Sequence, residues 1–258
     1  MILNLYKKPG ETPLERVERF RLEKLEYADI SMSYAGRLDP LAAGVLLVLV
    51  GDEANRPLSR IEHLNLDKIY TVDVLFGLQT DTYDLLGLVN FSNNFSTMGM
   101  LFDESYLKSE LKKHEGKSLQ PYPTFSSKHV QGKPLFEWAK SGKLSEIHIP
   151  VRKIEIYKID LIHLSEISAA KLLEKALAAA TSVLGDFRQR EISECWSQAL
   201  AAIPGTTFTL ASLRISCSSG TYIRSLANSL GKSMHTGGIA MNIIREQVGE
   251  FKLTDSII

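Results

Sequence analysis

Asp39 stands in the run Tyr34-Ala35-Gly36-Arg37-Leu38-Asp39-Pro40-Leu41-Ala42-Ala43-Gly44, a single carboxylate between two glycines and ahead of an apolar stretch. Glycines let a backbone or a ligand approach closely, so a carboxylate in this setting is a candidate reacting group. Such a group needs a partner. A buried, unpaired aspartate raises its pKa and loses its charge, whereas a neighbouring guanidinium keeps it ionised and orients it through paired hydrogen bonds. Arg224, in Ser218-Ser219-Gly220-Thr221-Tyr222-Ile223-Arg224-Ser225-Leu226, is the natural partner, opening a helix expected over Ser225 to Gly231. Each residue also has a plainer role: Asp39 before Pro40 fits a helix N-cap, and Arg224 fits a surface arginine near a helix start. Residue types alone leave both readings open.

The elements that must position these groups are partly legible. Thr12-Pro13-Leu14-Glu15 combines a hydroxyl cap, proline at the first helical position and a capping-box glutamate, so a helix is expected from Pro13 to about Glu26. Met1 to Tyr6 reads as a short strand before the Lys7-Lys8-Pro9-Gly10 turn. Tyr70, Val72, Val74 and Phe76 share one side of an extended Lys68–Phe76, and Glu155 to Leu164 and Ser212 to Cys217 alternate similarly. Ser168 to Leu184 and Ile192 to Ala202 look helical. Strands and helices mix without regular β-α alternation, which predicts an α+β fold around a largely antiparallel mixed sheet flanked by helices and loops. Without repeat or linker, 1–258 reads as one domain. The turn-rich Gln120 to Lys128 is expected to be exposed.

Bulk numbers narrow the classes. The 258 residues are 44% hydrophobic with a formal net charge of zero, so any nucleic-acid surface must be local. From Tyr106 to Lys153 ten Lys and Arg face four Glu, a net of plus six, which fits either a phosphate-binding face or an ordinary lysine-rich surface. Two cysteines, Cys195 and Cys217, lack metal-ligand spacing and a disulfide framework, in keeping with a reducing, cytoplasmic setting. The longest apolar run, Leu41 to Val50, is about half the length of a membrane-spanning helix, and no signal-peptide pattern precedes it. A soluble monomer is expected.

Four segments in order, Gly36 to Ala42, Lys68-Ile69-Tyr70, Thr80-Asp81-Thr82-Tyr83-Asp84-Leu85-Leu86-Gly87 and Gly220 to Leu226, resemble the TruB family of pseudouridine synthases. Ser126 to Glu137 is similar to the family's RNA-gripping insertion, here about 106–153, and Arg245 to Ile257 is similar to the close of its catalytic domain. The resemblance covers nearly the whole chain. It implies a pseudouridine synthase fold with Asp39, Tyr70 and Arg224 as catalytic residues. Tyr34, Gly36, Arg37, Asp84, Lys128, Lys133, Tyr222 and Leu226 would bind the substrate, with Asp84 supporting the arginine and Tyr222 and Leu226 walling the pocket. It implies no cofactor, metal or redox group, and tRNA as partner through its T-arm.

On that reading the enzyme isomerises the T-loop uridine of tRNA, position 55, with the base flipped out of its loop, Asp39 as nucleophile on sugar or base, and Tyr70 stacking on the uracil and taking the C5 proton. A synthase for another RNA and a non-catalytic RNA chaperone on the same fold are the alternatives. The chain departs from the family pattern in having Tyr34 where a histidine is frequent, in an extra helical insertion at about 165–205, and in stopping without the family's small C-terminal RNA-binding module.

Overall fold

A computed structural model describes residues 1–90 and 103–258. The first strand, β1 (Ile2–Lys7), leads into α1 (Pro13–Glu23), whose start carries the expected capping box: Glu15 N–H donates to Thr12 Oγ1 and Thr12 N–H to the Glu15 carboxylate. The helix ends three residues before the predicted Glu26. Its buried face stops at Phe20, Lys24 leaves helical geometry, and the chain tightens into a 3-10 turn, Leu25–Tyr27, that brings Tyr27 onto the Phe20 ring at 5.2 Å. Next come β2 (Met32–Ala35), β3 (Ala43–Val50), the single turn α2 (Asp52–Asn55), α3 (Pro57–Leu64) and β4 (Lys68–Phe76).

All eight residues of β3 are buried, because it runs between β1 and a strand near the C-terminus. β4 is the strand its alternation predicted: every even-numbered residue from Lys68 to Phe76 is buried, and Leu75 is buried on the opposite face. A two-stranded ribbon follows, β5 (Gln79–Thr80) with β6 (Val89–Asn90); beyond it lie α4 (Glu104–Lys113), β7 (Gly116–Pro121), the ladder β8 (His129–Val130) with β9 (Lys133–Pro134), and α5 (Leu135–Lys140). The remainder is β10 (Val151–Ser168), α6 (Ala169–Ser182), α7 (Gln189–Ala201), β11 (Thr207–Cys217), α8 (Ile223–Ser233), β12 (Gly238–Val248) and β13 (Phe251–Lys252).

Among the described residues nine strands form one mixed, largely antiparallel sheet in the order β1-β3-β12-β4-β11-β10-β7, with β2 on β3 and β13 on β12. The expected α+β architecture is therefore present. Among the described strands of this sheet only β12 and β3 pair with each other in parallel, and Gly44 permits it: a Cβ there would lie 2.2 Å from the Arg245 carbonyl oxygen. One face of the sheet, with Tyr70, Val72, Val74 and Phe76, packs on α8 and α4; the other, with Leu75, Ile239 and Met241, packs on α6 and α7 through Leu172, Ala176, Ile192 and the fully buried Trp196. Each large apolar side chain buried there contributes about 1.5–3 kcal/mol. No described helix is long and apolar enough to cross a membrane.

The predicted insertion boundary shifts. Residues 165–168 continue β10, paired with β11 from Ser165↔Leu210 to Ser168↔Thr207, so the helical part of this segment is the α6–α7 pair. The strand runs 18 residues, from Val151 to Ser168 and not only Glu155 to Leu164, and β11 starts at Thr207, five residues before the predicted Ser212.

Two buried lysines give the fold an alkaline signature. Lys7 Nζ donates to the carbonyls of Lys8, Pro40 and Ala42, holding the turn after Asp39, and Lys68 Nζ donates to those of Leu64 and Leu66. Burial lowers both ammonium groups to about 8. Between that value and the ordinary 10.5 the unfolded chain holds more protons than the folded one, so stability rises with pH there. From pH 8 to 9 each lysine should add about 1 kcal/mol. Urea midpoints of wild type and Lys7→Met across this step should show the variant losing about half the rise; an equal rise in both would remove Lys7 from the effect.

Candidate active site

Asp39 and Arg224 meet. They lie 185 residues apart in sequence, yet Arg224 Nε donates to Asp39 Oδ2 at 2.7 Å and Nη2 to Oδ1 at 2.8 Å, a two-pronged charge-assisted pair. The N-cap reading of Asp39 fails, because Pro40 and Leu41 form a turn closed by Ala42 N–H donating to the Asp39 carbonyl, and the chain enters β3 instead of a helix. The surface reading of Arg224 fails too: it is the second residue of α8 and is 4% exposed. The predicted helix, Ser225 to Gly231, begins two residues earlier than expected, at Ile223.

Three further groups fix the guanidinium. Nη1 donates to the Thr82 carbonyl at 2.7 Å, Nη2 to the Phe125 carbonyl at 3.3 Å, and Asp84 Oδ2 lies 3.6 Å from Nε. Asp84 also accepts from Thr82 Oγ1 and the Leu86 N–H, and Ala240 N–H, donating to the Tyr83 carbonyl, anchors this loop to β12. Burial opposes the charge on Arg224, but Asp39 and Asp84 outweigh it and push its pKa above the usual arginine value. Burial likewise pushes Asp84 upward, against the pull of Arg224 and the Thr82 hydroxyl. Asp39 is the outward member of the group, with 35% of its side chain exposed. The result is a rigid, water-reaching carboxylate backed by a dry cation.

Tyr70 lies in the same apolar cluster as Leu38, Ile223, Leu226 and Ile243, and burial pushes its phenol up to about 12, with the Arg245 guanidinium beside it acting the other way. A phenol so placed is neutral at pH 7; it offers an apolar face and a hydroxyl rather than a standing base. Tyr222 exchanges two backbone hydrogen bonds with the Gln120 side chain, and its ring meets Tyr122 edge-on at 5.5 Å. Gly36, at φ +83°, turns the chain out of β2, and Arg37 projects from that turn, exposed. Tyr34 packs, half-buried, on a different cluster, that of Leu3, Phe20 and Val48.

Gln120 to Lys128 is not the exposed element expected. Pro123 and Ser126 are buried, Phe125 is half-buried, and Thr124 Oγ1 donates to the Asp81 carbonyl, so the segment closes over Arg224. Lys128 and Lys133 hold their ammonium groups over the Tyr122 and Trp138 rings, at 5.3 and 5.5 Å. Much of the positive charge of 106–153 is neutralised locally: Lys108, Lys112, Lys113, Lys140 and Lys143 pair with Glu104, Glu115, Glu110, Asp186 and Glu146. Lys128 and Lys133 have no such carboxylate among the described residues.

The sequence reading missed Phe125, Ile243 and Arg245 as neighbours of the site. Arg245, which in the sequence belongs only to a C-terminal pattern, is 1% exposed, donates from Nε to the Val45 carbonyl, and lies across the β12–β4 register from Tyr70. The available signal was an arginine directly following the apolar pair Ile243-Ile244. Among the described residues no group of His, Cys, Asp and Glu could hold a metal ion.

Residues 24–179 match the model of the TruB family pseudouridylate synthase N-terminal domain. The chain is 32% identical over 256 residues to the tRNA pseudouridine synthase B of a Nostoc species, covering 99% of this chain and 69% of that protein, and 28% identical to that of Clostridium kluyveri, covering 99% and 70%. Its fold is similar to a solved chain from an H/ACA RNP bound to a substrate RNA containing 2′-deoxyuridine, with TM-score 0.55 and 18% identity, covering 97% of this chain. A chain from a Cbf5-Nop10-Gar1 complex gives TM-score 0.55 at 19% identity and 97% coverage. This chain spans about half the length of those two solved chains, 48% and 49%.

Proposed function

The chain belongs to the TruB family of pseudouridylate synthases, with tRNA pseudouridine synthesis the general activity of its relatives, and from that premise we propose that it isomerises the T-loop uridine of tRNA through Asp39. The observation that carries the proposal is the paired contact of Asp39 with Arg224, braced by Thr82, Asp84 and Phe125 at an opening to solvent. In the reaction the bond from uracil N1 to ribose C1′ breaks, a bond from C5 to C1′ forms, C5 gives up a proton and N1 ends with one. Atoms and electrons balance within the nucleotide, so no co-reactant is required. Asp39 serves as nucleophile, with Arg224 holding its two oxygens in one plane. Tyr70 stacks under the uracil, and Tyr222 and Leu226 wall the pocket. The neutral phenol of Tyr70 takes up the C5 proton only if its own proton is passed on at once.

The target base must leave its loop to reach this cleft, at a cost of a few kcal/mol. Lys128 and Lys133, without carboxylate partners among the described residues, hold RNA phosphates while it does so. Replacing both by Ala should weaken tRNA binding and reduce the slope of log K against log salt by about 1.5 to 2. A slope equal to wild type would dismiss them as phosphate contacts.

The direct test of the target is incubation with an unmodified tRNA transcript, followed by mass-spectrometric mapping of pseudouridine. The expected product carries one pseudouridine, in the T-loop. Product at another site, or on a transcript with the T-loop uridine replaced by cytidine, would redirect the proposal to a different RNA position.

A further inference from the structure

The α6–α7 unit has a covalent position far from the cleft, in the β10–β11 connection, but a physical connection to it. Between the helices the chain turns through Val183 to Arg188, and Arg188 takes a left-handed backbone, φ +60° and ψ +31°, that costs a non-glycine residue energy. What that conformation delivers is the guanidinium. Arg188 Nη1 donates to Asp81 Oδ2 at 2.8 Å and Nη2 to Asp81 Oδ1 at 3.3 Å, while its Cζ lies 4.4 Å from the centre of the Phe125 ring. One planar cation therefore grips a carboxylate edge-on and an aromatic ring face-on.

Asp81 and Phe125 belong to the two loops whose carbonyls hold Arg224. Asp81 adjoins Thr82, whose carbonyl accepts from Arg224 Nη1, and Phe125 itself accepts from Nη2. The loops also touch directly, Thr124 Oγ1 donating to the Asp81 carbonyl. The first loop rests on α7, where Trp196 Nε1 donates to the Gly87 carbonyl. The second is tied through α5 to the same turn, since Lys140 Nζ donates to Asp186. Arg188, with 17% of its side chain exposed, is the point where the two loops and the α6–α7 unit converge.

We infer that Arg188 is a positioning residue for the reaction: by clamping Asp81 and Phe125 it fixes the Thr82 and Phe125 carbonyls, and through them the plane in which Arg224 presents Asp39. The inference deepens the proposed function and rests on it. A displacement of about 1 Å at a reacting group costs on the order of 100-fold in rate, so a residue acting at one remove should matter without touching RNA.

Two variants and one control test it. Arg188→Ala should lower the single-turnover rate at saturating tRNA by about 30-fold, while the tRNA Kd stays within about threefold and its salt slope is unchanged. Arg188→Lys, which keeps the charge but not the fork, should recover only part of the rate. Arg190→Ala, removing the neighbouring exposed arginine that pairs with Glu194, should behave as wild type. Full recovery by lysine, or a loss confined to Kd, would make Arg188 an RNA contact and overturn the inference, as would an unimpaired Arg188→Ala in an active background. A second readout does not depend on turnover: amide hydrogen exchange over 80–88 and 120–128 should quicken together in Arg188→Ala, and unchanged exchange in both would overturn the clamp. A wild-type protein inactive on every tRNA would instead remove the proposed function, leaving the exchange measurement to decide the clamp.

Discussion

Asp39→Asn should lower pseudouridine formation by at least about 10⁴-fold while leaving tRNA affinity within about threefold. The substitution keeps volume and shape and removes the charge and one acceptor. Arg224 presents Nε and Nη2 to the two oxygens of Asp39, and both are donors. An asparagine can satisfy only one and must turn its own NH₂ toward the other, so the cost to the fold should be modest, about 1–2 kcal/mol. Affinity should hold because the proposed RNA grip lies on Lys128 and Lys133, not on Asp39. Asp39→Glu makes a sharper companion. It retains the charge but moves the carboxylate outward by one methylene, which should still cost about 100-fold. Single-turnover assays with filter-binding controls read both effects. Normal turnover by Asp39→Asn would take the residue out of the mechanism.

Arg224→Met should impair both rate and stability, because Arg224 neutralises two carboxylates of unlike exposure. Asp39 can turn to water, but Asp84 is 6% exposed and would be left with the Thr82 hydroxyl and the Leu86 N–H alone. Removing one partner from a buried ion pair costs about 3–5 kcal/mol. The pH dependence carries a definite sign. Burial already holds the Asp84 pKa above its ordinary 3.8, and losing the cation raises it further. The folded variant then binds a proton that the unfolded chain does not, in the range above 3.8 up to that raised value, so its stability grows as pH falls through this window. Urea unfolding at pH 7 and pH 5 should therefore show Arg224→Met recovering part of its deficit against wild type at pH 5. A deficit independent of pH would mean that Asp84 does not rely on Arg224. Arg224→Lys keeps a charge without the fork and should fall between the two in stability, with turnover still reduced by about 100-fold.

Local chemistry made some of this legible before any coordinates. The hydroxyl, proline and glutamate at Thr12, Pro13 and Glu15 fixed the start of α1 to the residue, since all three act within one turn. The alternation in Lys68–Phe76 gave the strand and grouped Tyr70 with Val72, Val74 and Phe76, but both sides carry apolar residues, and the packing of α8 on the Tyr70 side is what places it inward. The pairing of Asp39 with Arg224 was expected from motif order and charge logic, but nothing in either segment encodes their distance. Asp39-Pro40 carries the same local signal as a helix cap, and the commitment of Ala43–Val50 to a fully buried strand between β1 and β12 is what excludes it.

Other features were hidden for identifiable reasons. The register of β10 slips at Ile156/Lys158 and again at Leu161/His163, so its period of two breaks and the strand reads as shorter than 18 residues. The turn-formers of 120–128 imply an exposed loop, whereas Phe125 and Thr124 are held down by α8 and the 80–87 loop, neighbours distant in sequence. Arg188 belongs to no motif. Its role follows from a left-handed backbone and from Asp81, 107 residues away.

The account stands most directly on the loss of hydrogen from uracil C5 at one nucleotide. A tRNA transcript labelled with tritium at C5 of its uridines, mixed with excess wild-type enzyme, should release the label of one uridine per molecule, and a transcript with cytidine at the T-loop site should release none. Asp39→Asn should release none from either. Release by Asp39→Asn at the wild-type rate would contradict the account.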